Sequence, residues 1–162
     1  MEVVDVQIGQ VRAAKGQAIL QSKALGSCIA VVAFDPHQKA GVMAHIMLPG
    51  AAPAGKSADE KTRYAADAIA ALLEQVEELG SKKEDVCVSL VGAANVLRRD
   101  DDTICRDNIK SVLGILAEKG LRVKGRVIGG TCRRNVFLDV ERGTVSYIEG
   151  NGRLRHLCGA SG

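Results

Sequence analysis

Residues 28–34 read CIAVVAF and residues 42–48 read VMAHIML, two apolar runs joined by a short segment that opens on Asp35-Pro36 and closes on Gly41. A half-buried strand alternates apolar and polar residues, whereas a run without a polar face belongs to a strand covered on both sides. The Asp-Pro step and the glycine supply turn chemistry, so the two runs form a hairpin. A hairpin buried on both faces must lie inside a layered structure. Within it stand one thiol, Cys28, and one imidazole, His45.

The rest of the chain supplies the layers. Short strands are expected at 3–8 and 18–22, with the Lys15-Gly16 turn between them, and again at 86–91 and 121–128. Residues 135–140 and 144–148 form a closing hairpin turned at Arg142-Gly143. After an Ala-, Gly- and Pro-rich stretch at 50–59, Ser57-x-x-Glu60 is a capping box heading a long helix. That helix carries Ala65, Ile69, Leu72, Leu73, Val76 and Leu79 at helical spacing, and Gly80 stops it. A second helix follows the acids Asp100–Asp102, which complement its dipole, and presents Ile109, Val112, Leu113 and Leu116 on one face before Gly120. The Gly-rich tail, 150–162, is expected to be flexible. The pattern predicts a single α/β domain over 1–162, layered around a mixed sheet; it does not give the strand order.

A chain of 162 residues, 46% hydrophobic and 25% charged, can bury a core without disulfide support. Two Tyr, two Phe, no Trp and a formal charge of +3 offer neither stacking platforms nor a strong basic field, which argues against nucleic-acid binding. Basic residues do gather late in the chain (Arg122, Lys124, Arg126, Arg133, Arg134, Arg142, Arg153, Arg155), where they read as solvated strand edges. The start, MEVVDVQIGQ, has no secretory pattern, and no apolar run reaches the length of a bilayer span. Five cysteines, an odd number without C-x-x-C spacing, read as free thiols in a reducing compartment. The expectation is a cytoplasmic protein without membrane insertion.

The hairpin relates Cys28 to His45. With Phe34 and Gly41 flanking the turn as a cross-strand pair, His45 faces Ala30 and Cys28 faces Met47. Cys28 and His45 are then diagonal neighbours on one face, within side-chain reach. A slip of one residue would send them to opposite faces. Two readings stay open on spacing alone: core filling, common for both residue types, or a working pair. In the second, an imidazolium favours the thiolate, which attacks a carbonyl, and His45 protonates the leaving group. Gly26 frees the backbone so that N–H groups at Gly26 and Ser27 reach the developing oxyanion. The Ser22 hydroxyl is placed to hold the other ring nitrogen as a third member. Elsewhere, Cys87 reads as core and His37 as solvated. Cys132 is a turn cysteine between polar neighbours. His156 and Cys158 lack the close paired spacing of a metal site, so neither metal nor cofactor is expected.

The stretch Ser22-Lys23-Ala24-Leu25-Gly26-Ser27-Cys28-Ile29-Ala30-Val31, then Asp35-Pro36, then Gly41-Val42-Met43-Ala44-His45-Ile46-Met47-Leu48-Pro49 resembles the signature of the CheD family. These are chemoreceptor glutamine deamidases of bacterial and archaeal chemotaxis. Weaker likeness extends to Arg63-Tyr64-Ala65, Val91-Gly92-Ala93-Ala94, Ile104-Cys105-Arg106-Asp107-Asn108 and Gly129-Gly130, spanning residues 3 to 149. The resemblance implies a three-layer α/β/β sandwich like that of cytotoxic necrotizing factor catalytic domains. It also implies a Cys-His-Thr triad falling on Cys28, His45 and Ser22, and deamidation of receptor glutamines through a thioester. The implied partners are methyl-accepting chemoreceptors and the CheC phosphatase. Ala24 and Cys105 stand where the family has Gly, Ala66 where it has an acid, and Asp107 where it has Arg. A non-catalytic adaptor docking on receptors or CheC is the alternative reading. A thiol redox sensor pairing Cys105 with Cys132 is a third.

Overall fold

Two five-stranded sheets and three α-helices build residues 1–158, the part of the chain described in the computed structural model. In chain order the elements are β1 (Glu2–Asp5), β2 (Val11–Lys15), β3 (Ala18–Leu25), β4 (Ile29–Asp35), β5 (Ala40–Ile46), α1 (Ala58–Lys61) and α2 (Ala65–Glu78). A short 3-10 turn at Lys83–Asp85 precedes β6 (Cys87–Gly92), α3 (Ile104–Glu118), β7 (Val123–Ile128), β8 (Arg134–Asp139), β9 (Thr144–Glu149) and β10 (Arg155–Cys158). One sheet runs β1-β3-β8-β9-β10 and the other β2-β5-β4-β6-β7. Each contains one parallel pair, β1 with β3 and β6 with β7, so both sheets are mixed.

The apolar hairpin becomes β4 and β5, with Phe34 opposite Gly41, Val32 opposite Met43 and Ala30 opposite His45. Every residue of both strands is buried. Strand alternation sends Ile29, Val31, Ala33, Val42, Ala44 and Ile46 to one side, where they meet Ile69, Leu72 and Val76 of α2 and Val112 and Leu116 of α3. The other side carries Ala30, Val32, Phe34 and Met43 into a second core with Leu20, Val136, Leu138 and Val140 of the facing sheet. The layers are therefore helices, sheet, sheet: the α/β/β sandwich that the resemblance to CheD implies.

Several elements depart from expectation. The Ser57 hydroxyl does accept the Glu60 N–H, at 3.4 Å, but it caps the one-turn α1 and not the long helix. The break has a cause in hydrogen bonding: the Arg63 carbonyl accepts both the Met47 and Leu48 N–H groups, at 2.9 Å each, and Tyr64 bridges to Leu48. Strand β2 was not anticipated; with half-exposed Val11, Ala13 and charged neighbours it lacks a clear alternation. Residues 155–158 of the expected flexible tail instead form β10 against β9, where the His156 ring meets the Ser146 hydroxyl at 3.2 Å. Residues 159–162 of that tail lie outside the described part. Arg134, counted among the solvated basic residues, is buried and pairs with Glu149 at 2.9 Å.

The two sheets meet closely at Gly41, where a Cβ would sit 2.5 Å from Leu138 Cδ2. Leu138 is fully buried between the sheets. Leu138→Ala is expected to destabilise the fold by about 2–5 kcal/mol, the usual cost of such a cavity, read as a fall in the urea midpoint at unchanged slope.

Candidate active site

The face of β4 and β5 that carries Ala30, Val32 and Met43 into the inter-sheet core also carries His45 and, one residue before β4, Cys28. At this end the facing sheet does not close over them. Cys28 and His45 line one cleft of about 590 Å³ with Asp5, Val6, Gln7, Ile8, Gln21, Lys23 and Ala24. The end of β1 and the turn after it form one wall, and the end of β3 forms another. His45 is 4% exposed and Cys28 is half-buried. The expected register holds, and the thiol and the imidazole share a face and a cavity.

His45 Nδ1 lies 3.1 Å from the Val6 carbonyl oxygen. A carbonyl only accepts, so Nδ1 carries the proton and donates, which leaves Nε2 as the bare, basic nitrogen. The backbone of His45 is fixed as well: its N–H donates to the Gln10 carbonyl at 3.0 Å, and its own carbonyl accepts from Gly9 at 2.9 Å. Ser22 departs from its expected role. Its hydroxyl donates to the same Val6 carbonyl, at 2.8 Å, with Met43 Sδ 3.4 Å away. The Ser22 hydroxyl has no hydrogen bond to the ring; the ring and the hydroxyl converge on one main-chain oxygen.

Burial pushes the Cys28 thiol above its ordinary pKa and pushes the His45 imidazole below its own, the latter opposed in part by the bond to Val6. Both directions favour uncharged groups. Neither direction favours the thiolate–imidazolium pair of the working-pair reading. With Nε2 free, such an imidazole can serve as a general base for a thiol in the same cleft.

The loop before Cys28 is held from two sides. The Gly26 carbonyl accepts from the Ala94 N–H at 2.8 Å and the Cys28 carbonyl from the Ala93 N–H at 2.7 Å. Gly92, at φ +124°, has no room for a side chain: a Cβ there would stand 2.4 Å from the Cys28 oxygen. Arg134 Nη1 donates to the Gly92 carbonyl at 3.1 Å and to the Gly129 carbonyl at 2.7 Å, tying this turn down. The conformational freedom expected of Gly26 is found instead at Ala24, whose φ is +56° and whose N–H donates to Asn135 Oδ1 at 2.7 Å. The sequence reading named Asn108 of α3 within the Ile104–Asn108 likeness but gave it no role. This fully buried residue donates through Nδ2 to the Ser27 carbonyl at 2.9 Å and the Met47 carbonyl at 3.1 Å. A polar residue one turn before Val112 on the apolar face of α3 was the available signal. Of the other thiols, Cys105 is buried on the helix side and Cys132 is exposed.

Residues 47–148 match the model of a family described as CheD chemotactic sensory transduction. That segment begins after Cys28 and His45, but longer similarities take them in. The chain is 38% identical over 143 residues to a probable chemoreceptor glutamine deamidase CheD of Chlorobium luteolum, covering 88% of this chain and 71% of the relative. It is 30% identical over 138 residues to the chemoreceptor glutamine deamidase CheD of Thermotoga maritima, covering 85% and 86%. A probable chemoreceptor glutamine deamidase CheD of Archaeoglobus fulgidus is 31% identical over 150 residues, 90% and 93% of the two chains.

The two pKa directions set a pH window for stability. For His45 the folded value lies below the ordinary 6.5, so its contribution is complete above 6.5 and is lost as pH falls through the folded value. For Cys28 the folded value lies above the ordinary 9.0, so its contribution is complete below 9.0 and is lost as pH rises through the folded value. The urea midpoint of the wild type should decline below 6.5 more steeply than that of His45→Gln, and above 9.0 more steeply than that of Cys28→Ala. Ala24→Gly is expected to raise the midpoint, relieving a left-handed alanine worth about 1 kcal/mol.

Proposed function

The chain belongs to the CheD family, and from that premise we propose that it converts glutamine side chains of chemoreceptors to glutamate in chemotaxis, with Cys28 as the nucleophile. One observation carries the reading: the Cys28 thiol and the His45 imidazole share a cleft, with Nδ1 of the ring occupied by a carbonyl and Nε2 left bare. Cys28 Sγ attacks the carboxamide carbon while His45 Nε2 takes the thiol proton. The tetrahedral intermediate collapses as the imidazolium returns that proton to nitrogen, and ammonia leaves a thioester on Cys28. Water then attacks the thioester, giving its proton to His45. The C–S bond breaks, releasing glutamate, and the sulfur recovers its proton from the ring.

In this reading Ser22 is a positioning residue that acts through Val6. By donating to the carbonyl that accepts from His45, its hydroxyl keeps that oxygen aimed at Nδ1. Peptide N–H groups at Gly26 and Ser27 serve the oxyanion. An open cleft suits a substrate presented on another protein's surface, since a side chain must enter while its backbone stays outside. Among the described residues no helix is long and apolar enough to cross a membrane. A cytoplasmic location and a CheC-type phosphatase as second partner complete the proposal on the strength of the family resemblance.

A receptor fragment containing glutamine, incubated with the protein and read by mass and charge, tests it. Wild type should produce glutamate with release of ammonia, and Cys28→Ala none. His45→Ala should lose about 10²–10⁴-fold, the range of general base catalysis. Ser22→Ala, losing one neutral hydrogen bond, should fall only about five- to tenfold. A wild type that binds receptor yet never converts glutamine would overturn the deamidase and favour an adaptor.

A further inference from the structure

Asn108 is buried in α3 with no exposed surface, yet its carboxamide is only half satisfied. Nδ2 holds the Ser27 and Met47 carbonyls, one beside the thiol and the other two residues beyond His45. Both partners are acceptors, so the amide cannot be turned the other way, and Oδ1 is left buried without a partner among the described residues. An orphaned buried acceptor is costly and calls for a reason. The grip of Nδ2 on the two carbonyls supplies one.

The peptide between Ser27 and Cys28 is trans, so its N–H points opposite to the carbonyl that Asn108 holds. Cys28 N–H is thereby directed away from α3. On the β6 side the ladder runs regularly to Ile29 opposite Gly92, and the next step would pair Cys28 with Ala93 in both directions. Only one of those bonds forms, Ala93 N–H to the Cys28 carbonyl. Gly92 and Ala93 have φ of +124° and +53°, which turn the chain out of the ladder before the return bond. Among the described residues the Cys28 N–H has no protein acceptor.

We propose that Asn108 is a positioning residue that, by gripping the Ser27 carbonyl, holds the Cys28 main-chain N–H as a donor to the oxyanion formed when the thiol attacks a carbonyl. This rests on Cys28 being the nucleophile. A donor belonging to the nucleophilic residue itself lies beside the bond being made, and such preorganised N–H groups are among the strongest single contributors to acyl transfer. The Met47 bond extends the grip to the strand of the base, so one carboxamide fixes the thiol loop relative to His45.

Two probes separate this role from mere support of the fold. Acetyl transfer from p-nitrophenyl acetate to Cys28 passes through an oxyanion: sulfur bonds to the carbonyl carbon, p-nitrophenolate leaves and the thiol proton goes to His45. Alkylation by iodoacetamide displaces iodide from a saturated carbon and forms no oxyanion. Rates at Cys28, followed by peptide mapping in the full chain, should show Asn108→Ala lowering acylation by about 10²-fold with alkylation within twofold of wild type. Asn108→Asp, nearly isosteric but presenting acceptors to two carbonyls, should show the same split and serves if the alanine variant does not fold. Parallel loss of both rates, or loss of neither, overturns the proposal. A wild type that is acylated at Cys28 but leaves receptor glutamine intact defeats the deamidase reading alone.

Discussion

The middle sheet must be apolar on both faces, and from that requirement most of the molecule follows. β4 and β5 have no exposed residue, so each alternate side chain needs a partner above or below. The helices answer one face and the second sheet the other. A titratable group placed in such a strand is desolvated wherever the covering layer is complete. It becomes reactive only where a layer ends. His45 and Cys28 stand at that margin, where β1 and β3 leave a cleft between the sheets. The same burial that builds the core therefore acts on the pair, raising the pKa of the thiol and lowering that of the imidazole.

Neutrality has a mechanistic cost and a benefit. A thiol is a weaker nucleophile than a thiolate, but a neutral imidazole is a competent base, and a buried ion pair would have to offset two desolvation penalties. In the proposed reaction charge develops only as a carbonyl arrives, when nearby donors can stabilise it. The loop carrying Cys28 is held on several sides. Its carbonyls are taken by Ala93, Ala94 and Asn108, and the Gly92 turn is fastened by the buried Arg134.

The hairpin and the placing of Cys28 and His45 on one face were legible in the sequence because both depend on period-two alternation and on a turn with strong local chemistry, Asp35-Pro36 to Gly41. The apolar runs showed that the hairpin is covered on both faces, and the layer order followed from the resemblance to CheD. What escaped was carried by main-chain atoms or weak patterns. The Val6 carbonyl has no signature, so Ser22 was assigned to the ring when it bonds the ring's partner. The division between α1 and α2 depends on the Arg63 carbonyl and was equally hidden. β10 is four residues with a bulge, too short to show alternation. Asn108 stood in the Ile104–Asn108 likeness and as a polar interruption on the apolar face of α3, but neither pointed to the two carbonyls it holds.

That the imidazole leans on a peptide oxygen has a genetic corollary. Exchanging the side chain at position 6 leaves that oxygen in place, so single missense changes there act on packing and leave the ring's acceptor intact. Its alignment belongs to the parallel pairing of β1 with β3, in which Val4 faces Leu20 and Asp5 faces Gln21. A one-residue frame shift between those two ribbons would reverse the oxygen's direction. The vulnerability of the His45 contact is thus topological, spread along a strand and not lodged in any one codon.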